Sequence, residues 1–450
     1  MVIGLARRVW FWSAAARRRS EAEPNSKTRS GVEPPHSRFV PILLSIALLA
    51  VIGTGVTIAG WQGWAWYHYR AALRALERRD LSLAQAQLNS CLKVWPTSAE
   101  VHLLAARTAR RIGAYDDAEL HLKECQLLGW PIEELSLERD LALAQRGDLA
   151  EVEEKLVRFA EHDHPDRFLI LEALAQGYIK TYRLSQALHC LELWLKRRPN
   201  DVQALVWRAE VEQLRSSTSE ALADYRRVVA LEPERDQARL RLAELLATEH
   251  QPAEAVSHFE HLRQRQPTNP GVLLGLARCR HLLGESTEAA RLLDTLLERS
   301  PDDATALGER GRLFLEIGQF GEAERWLRRA ADRAPYDRDI VYPLYLCLQQ
   351  SGKSEAAEAY RIKLQEIDAQ LSRLRELTRQ IVQMPHDPAL RHEAGMIFLT
   401  SGQAKEGLRW LYSALQEDPR YEPAHRLLAD YYDRVGNQGL AGWHRRQIQN

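Results

Sequence analysis

Cysteine is scarce in this chain, and the few residues present are scattered. There are five in 450 residues, Cys91, Cys125, Cys190, Cys279 and Cys347, an odd number with no C-x-x-C pair. That excludes a disulfide scaffold, a zinc ribbon, a thioredoxin-like redox site and c-type haem attachment. Net charge is also missing, because 61 basic residues balance 61 acidic ones. Phosphate binding shows as a basic excess on one face, so nucleic acid is not expected as the main partner. No H-E-x-x-H, Walker A, G-x-S-x-G or kinase set occurs. His162-Asp163-His164 with Asp166 resembles a metal cluster only superficially: it sits beside Pro165 at a helix end, and no further ligands converge on it in sequence. No catalytic, cofactor-binding or metal site is assigned, and the chain is not expected to be an enzyme.

Charge is also lacking along one stretch, from Phe39 to Tyr67. The apolar centre of that stretch, Phe39 to Gly60, exceeds the roughly 20 residues that span a bilayer as a helix. Trp61, Trp64, Trp66, Tyr67 and Tyr69 follow, and such rings gather at the headgroup level of a membrane. A cleavable signal would have a shorter apolar run and an A-x-A-like site, so a retained single-pass anchor is expected over 39–67. Residues 1–38 hold eight basic residues against three acidic ones, leaving 53 basic and 58 acidic for the rest. This arm is expected to be largely disordered. The heavier basic side stays in the cytoplasm, although Arg70, Arg74, Arg78 and Arg79 after the span oppose that bias. The expected location is the inner (cytoplasmic) membrane, with the N-terminus cytoplasmic and the remainder periplasmic or otherwise extracytoplasmic.

A repeat fills the rest of the chain. Pro131, Pro165, Pro199, Pro233, Pro267, Pro301 and Pro335 stand 34 residues apart without exception; Pro96 is one residue out, and Pro385 and Pro419 resume the spacing. Proline breaks a helix interior, so each marks a helix end. The polar residues Asn200-Asp201, Asp236, Thr268-Asn269, Asp302-Asp303 and Asp337 follow and suit helix N-caps. Ten residues after the prolines come Ala106, Ala175, Ala209, Ala243, Ala277, Gly311, Gly395 and Ala429. Twenty-two residues after them come Ala118, Ala187, Ala221, Ala255, Ala289, Ala323, Ala357, Gly407 and Ala441. Four further on, a large apolar group recurs, as at Tyr225, Phe259 and Leu293, with Trp410 three after Gly407, on the same helical face. The unit after Pro131 departs, with Leu141 and Glu153 at the small positions, and is expected to be distorted or shifted. Pro335 to Pro385 spans 50 residues. The excess lies within 355–383, where Tyr360, Leu364, Ile367, Leu371, Leu374 and Ile381 follow a heptad-like spacing. One long helix packing on the following units is expected there, with a short coiled coil to a second copy as the alternative.

The period and the small–small–large–proline pattern resemble the tetratricopeptide repeat over residues 70–450, in about nine or ten units. The resemblance implies an all-α, right-handed α-solenoid of helix–turn–helix repeats preceded by the one transmembrane helix. It further implies that the first helix of each unit lines a concave groove that receives other proteins or peptides. Carried onto this register, the groove includes Gln203, Glu210, Gln213, Gln237, Glu244, Arg278, His281, Arg312, Tyr342 and Gln349, graded from acidic to basic. The expected function is a membrane-anchored protein–protein interaction scaffold that assembles or regulates an envelope complex. The alternatives are a self-associating membrane protein that oligomerises through the anchor and 355–383, and a non-catalytic regulatory subunit of an enzyme. A cytosolic chaperone adaptor would require the opposite orientation in the membrane.

Overall fold

The computed structural model describes residues 39–162 and 164–449, with side chains from 53 onward except at 58, 382 and 449. The expected basic arm at 1–38 lies outside the described residues, as do the side chains of 39–52. Among the described residues there are 22 α-helices and no strand. In chain order, α1 (Phe39–Glu77) packs on α2 (Leu81–Leu92), α3 (Ala99–Ile112) on α4 (Tyr115–Leu127) and α5 (Ile132–Arg146) against α7 (Arg167–Lys180), with α6 (Glu153–Glu161) between. The hairpins then continue as α7 with α8 (Leu184–Arg197), α9 (Val202–Leu214) with α10 (Thr218–Leu231), and α11 (Asp236–Thr248) with α12 (Pro252–Arg265). Next come α13 (Pro270–Leu282) with α14 (Ser286–Arg299), α15 (Ala304–Glu316) with α16 (Phe320–Arg333), and α17 (Arg338–Gln350) with α18 (Ser354–Gln383). The last pairs are α19 (Pro388–Thr400) with α20 (Ala404–Glu417), and α21 (Glu422–Arg434) with α22 (Gln438–Gln449).

The helices start where the register predicts. Ser98, Asp201, Asn269, Asp303, Asp337 and Asp387 each accept a hydrogen bond from a backbone amide of the helix they precede, satisfying donors that have no partner inside the helix. Asp236 does not cap. It is the first residue of α11, and its carboxylate accepts from Arg265 and Gln266 at the C-terminal end of α12. The small positions are buried as a set, with Ala209, Ala221, Ala243 and Ala255 all at 0% exposure. Tyr225 and Phe259 fill the space beside them, also at 0%. At Gly311 the helices are closer still: a Cβ there would lie 2.6 Å from Leu327 Cγ.

The unit after Pro131 is the irregular one. Its second helix, α6, has nine residues, and α5 packs directly on α7. Gly177 makes this possible, because a Cβ there would stand 2.1 Å from the Ala144 carbonyl oxygen. The left-handed turn residue shifts by one position too. It is Gly147 here, sixteen residues after Pro131, whereas Gly113, Gly284 and Gly318 stand seventeen after their prolines.

The extra residues before Pro385 form part of one helix. α18 has 30 residues, about 45 Å of helix. Leu364 and Ile367 bury against Val341 of α17, while Leu377 and Ile381 bury with Ala394, Ile397 and Trp410 of α19 and α20. The heptad-like face is therefore covered mainly by its own chain. Leu377, at 0% exposure, carries the burial that the heptad spacing assigned to its neighbours.

The long helix also carries α19 and α20 to the turn between α7 and α8. Tyr182 stacks on Trp410 at 3.9 Å between ring centroids, Arg409 lies over the same tyrosine ring, and the Tyr182 hydroxyl donates to Glu406 at 3.3 Å. Arg391, at 0% exposure, donates to the Thr181 carbonyl and to Ser413, both at 2.8 Å. Arg183 bridges Glu153 at 2.8 Å and Glu417 at 3.3 Å, and His386 adds a contact to Glu417 at 2.8 Å. Tyr182 occupies the left-handed turn position at φ 56°, where most other units have glycine. A side chain there costs about 1–2 kcal/mol, and the aromatic stack contributes about 0.5–1.5 kcal/mol beyond burial. The solenoid thus closes onto its own fourth hairpin.

Among the residues described with side chains, no helix is long and apolar enough to cross a membrane; the apolar residues 39–52 lie outside that set. α1 itself runs unbroken from Phe39 to Glu77.

Two glycines test the packing with opposite signs. Gly177→Ala forces backbone apart and is expected to destabilise by about 1–3 kcal/mol, the usual cost of overpacking. Gly321→Ala, on α16 with nothing within 4 Å of its Cβ site, is expected to stabilise by about 0.5–1 kcal/mol. Urea unfolding of both variants decides. For the self-contact, Glu417→Gln leaves buried Arg391 without its carboxylate and is expected to cost about 3–5 kcal/mol, read by the same measurement.

Candidate partner-binding groove

The first helices of the early hairpins converge on an inner recess. Arg111 and Ile112 of α3, Gln145 of α5, Gln176, Ile179 and Lys180 of α7, and Trp207 and Glu210 of α9 line a cavity of about 330 Å³ together with Tyr115. A neighbouring hollow of about 480 Å³ lies against Tyr115, Asp116, Asp117 and Arg146. Tyr115 receives the Lys180 ammonium on its hydroxyl at 3.2 Å, and both Arg146 and Lys180 sit over its ring. Helical register places these groups: Trp207 and Glu210 are three residues apart on α9, so they share a face. A third hollow, of about 520 Å³, lies between Arg78, Arg79 and Asp80 at the α1–α2 turn and Gln203 with Glu232–Arg235.

Buried carboxylates hold these walls together. Glu172, 4% exposed at its side chain, takes Arg79 at 2.9 Å and Arg111 at 2.7 Å. Glu138, 2% exposed, takes Arg107 at 2.6 Å and Arg110 at 3.2 Å. Burial alone would raise the Glu172 pKa, but Arg111 and Arg79 outweigh it and hold the carboxyl below its usual range. The two glutamates occupy the seventh position after their prolines, where the following units have Val206, Leu240 and Leu274. That exchange of aliphatic for acid was the signal in the sequence. The partners lie in other units, 28 and 31 residues from Glu138 and 61 and 93 from Glu172, so no local pattern shows the pairing.

The residues assigned to the groove lie on α9, α11, α13, α15 and α17, and six of the ten have a polar partner, in the same hairpin or the next. Gln203 accepts from Arg235 at 3.0 Å, and Gln213 accepts from the Tyr225 hydroxyl at 3.0 Å. Glu244 pairs with Arg241 at 2.9 Å. Arg278 at 2.6 Å and Arg312 at 3.5 Å share Glu309, and His281 contacts Glu316 at 2.8 Å. Glu210 lines the recess, and burial lifts its carboxyl pKa against the pull of Arg241 and Arg235. Gln237, Tyr342 and Gln349 are exposed, with Arg338 over the Tyr342 ring. The acidic-to-basic grading is muted, because Glu244, Arg278 and Arg312 are each paired with an opposite charge on their own or the next hairpin. Trp207, Tyr115 and Lys180 were not singled out by sequence. Among the described residues no group of three or more His, Cys, Asp or Glu could hold a metal. The five cysteines are free and buried.

Glu172 makes the stability of this wall depend on pH. A carboxyl whose folded pKa is depressed contributes stability above its unfolded pKa of about 4.3, and loses it as pH falls through the folded value. Glu172→Gln is therefore expected to destabilise at pH 7 and to flatten the acid limb of the stability–pH curve. Thermal melts of both proteins from neutral pH down through the carboxylate range check this.

Two tetratricopeptide-repeat family models match the chain, one over residues 246–313 and another over 69–125 and 215–270. No curated protein matches it. Among solved structures, a tetratricopeptide repeat protein from Parabacteroides merdae is similar at 18% identity and a TM-score of 0.46, covering 55% of this chain and 96% of that one. PilW, described as a widely conserved type IV pilus biogenesis factor, aligns at 23% identity and a TM-score of 0.39, covering 44% of this chain and 91% of that one. YrrB, described as a TPR protein with an unusual peptide-binding site, aligns at 15% identity and a TM-score of 0.27, covering 45% and 96%. In its repeat register and its family-model matches, this chain is similar to tetratricopeptide-repeat proteins.

Proposed function

We propose that the chain is a membrane-anchored scaffold whose inner surface binds other proteins or peptides and which performs no catalysis of its own. The observation that carries the reading is the recess where α3, α5, α7 and α9 meet. It combines an aromatic wall (Tyr115 and Trp207), a cation (Lys180) and a carboxylate with a raised pKa (Glu210). Stacked hairpins provide an extended concave surface, and aromatic and charged groups in a recess are the usual anchors of peptide recognition.

The anchor rests on the uncharged stretch 39–67 and on α1. Trp61, Trp64, Trp66 and Tyr67 are 44–65% exposed and, at 100° per residue, surround the helix except on the face where Ala65 packs on α2. A partner protein would cover one side; a lipid interface accepts all of them. The basic arm then sets the N-terminus in the cytoplasm and the solenoid on the other side of the inner membrane, where assembly or regulation of an envelope complex is the corresponding role. Self-association through 355–383 has less support, since Leu364, Ile367, Leu377 and Ile381 of α18 are buried within the chain.

Crosslinked co-purification from native membranes tests the recess. Wild type is compared with Tyr115→Ala combined with Glu210→Lys, both proteins first shown to be folded by circular dichroism. The expected outcome is a specific protein captured by wild type and lost from the variant. Capture of the same set by both contradicts the reading.

A further inference from the structure

The loops that join one hairpin to the next all lie at the ends of second helices, so they form one edge of the solenoid. Most are charged or polar just before their proline: Arg197-Arg198, Leu231-Glu232, Arg265-Gln266, Arg299-Ser300, Glu417-Asp418. Two differ. Trp95-Pro96 and Trp130-Pro131 are the Trp-Pro pairs of this register, and they belong to the two hairpins nearest α1.

Local contacts put both loops near the level of the α1 aromatics. Trp95 Nε1 donates to Gln62 Oε1 at 2.5 Å, Trp95 packs edge-on to Tyr69, and Cys91 Sγ donates to the Ala65 carbonyl at 3.4 Å. Gln62 lies between Trp61 and Trp64 on α1. One hairpin further on, Cys125 Sγ donates to the Ala99 carbonyl at the same 3.4 Å. This repeats the arrangement and sets the end of α4 beside the start of α3. The loop after α4 then presents apolar side chains to solvent: Leu127 is 80% exposed, Ile132 67% and Leu128 36%. Such a cluster with a tryptophan is what membrane interfaces select.

We propose that this edge of the first two hairpins, Trp95, Leu127, Leu128, Trp130 and Ile132, lies in the headgroup region of the bilayer and is a second membrane contact beside the anchor. The inference rests on the anchored reading of 39–67. Its consequence is orientation. Because α1 is one continuous helix into the first hairpin, the span and the lipid-facing edge together set the tilt of the solenoid, and the groove stands at a defined angle to the membrane.

The test uses the full chain reconstituted in phosphatidylcholine vesicles. The native cysteines are buried, so Leu127→Cys can be labelled selectively with an environment-sensitive fluorophore. Asp302→Cys, in the exposed charged loop after α14, is the control. The expected result is co-flotation of both proteins, a blue-shifted Leu127→Cys probe, and several-fold stronger quenching of that probe than of the control by nitroxide-bearing lipids. Co-flotation with both probes equally unquenched overturns the proposal and leaves the anchor standing. A blue-shifted probe that lipid nitroxides do not reach also overturns it, and indicates a second copy on this edge. Failure to co-float overturns the anchor, and the proposal with it.

Discussion

Everything in this molecule depends on how closely two helices approach at the small positions of each hairpin. With alanine or glycine at the tenth and twenty-second residues after the proline, the backbones come close enough for the aromatic or leucine four residues on to seal the gap, as Tyr225 and Phe259 do at 0% exposure. Repeated every 34 residues in the regular units, the same contact sets the angle of one hairpin to the next. It therefore decides which side chains face inward. Trp207 and Glu210 line a recess because Ala209 between them is spent on the helix–helix contact. The groove is a by-product of the register.

Much of this was legible in the sequence because the contacts concerned are local. Proline punctuation, caps such as Asp201 and Asp303, and the small positions are all set by residues within one or two units of each other. The long helix was legible for the same reason, as was the distortion after Pro131, although not its form. That Gly177 lets α5 reach α7 directly depends on a single backbone contact with Ala144, which no periodicity shows. The pairing of Glu138 and Glu172 with the arginines of other units, and the docking of Trp410 on Tyr182, depend on the curvature of the whole stack. Curvature accumulates from small angles between hairpins, and one sequence does not print those angles.

The self-contact changes what kind of groove this is. An open superhelix offers a long trough with two free ends. Here α18 adds a stretch of helix that carries α19 and α20 back to the α7–α8 turn, where Arg183 and Arg391 meet Glu417 and Tyr182 accepts a left-handed backbone in order to stack. Strained residues persist where the surroundings over-determine them. The inner surface is bounded by its own C-terminal hairpins.

The most direct test of this account is the distance between the two parts of the chain that the self-contact joins. Spin labels at Arg146→Cys and Lys405→Cys, both exposed positions next to the docked surfaces, can be read by pulsed electron resonance in the detergent-solubilised full chain. The account predicts one short, narrow distribution, which lengthens when Trp410→Ala and Glu417→Gln are added. A long or broad distribution in the otherwise unaltered protein would mean that the solenoid is open, and that the groove is an unbounded trough.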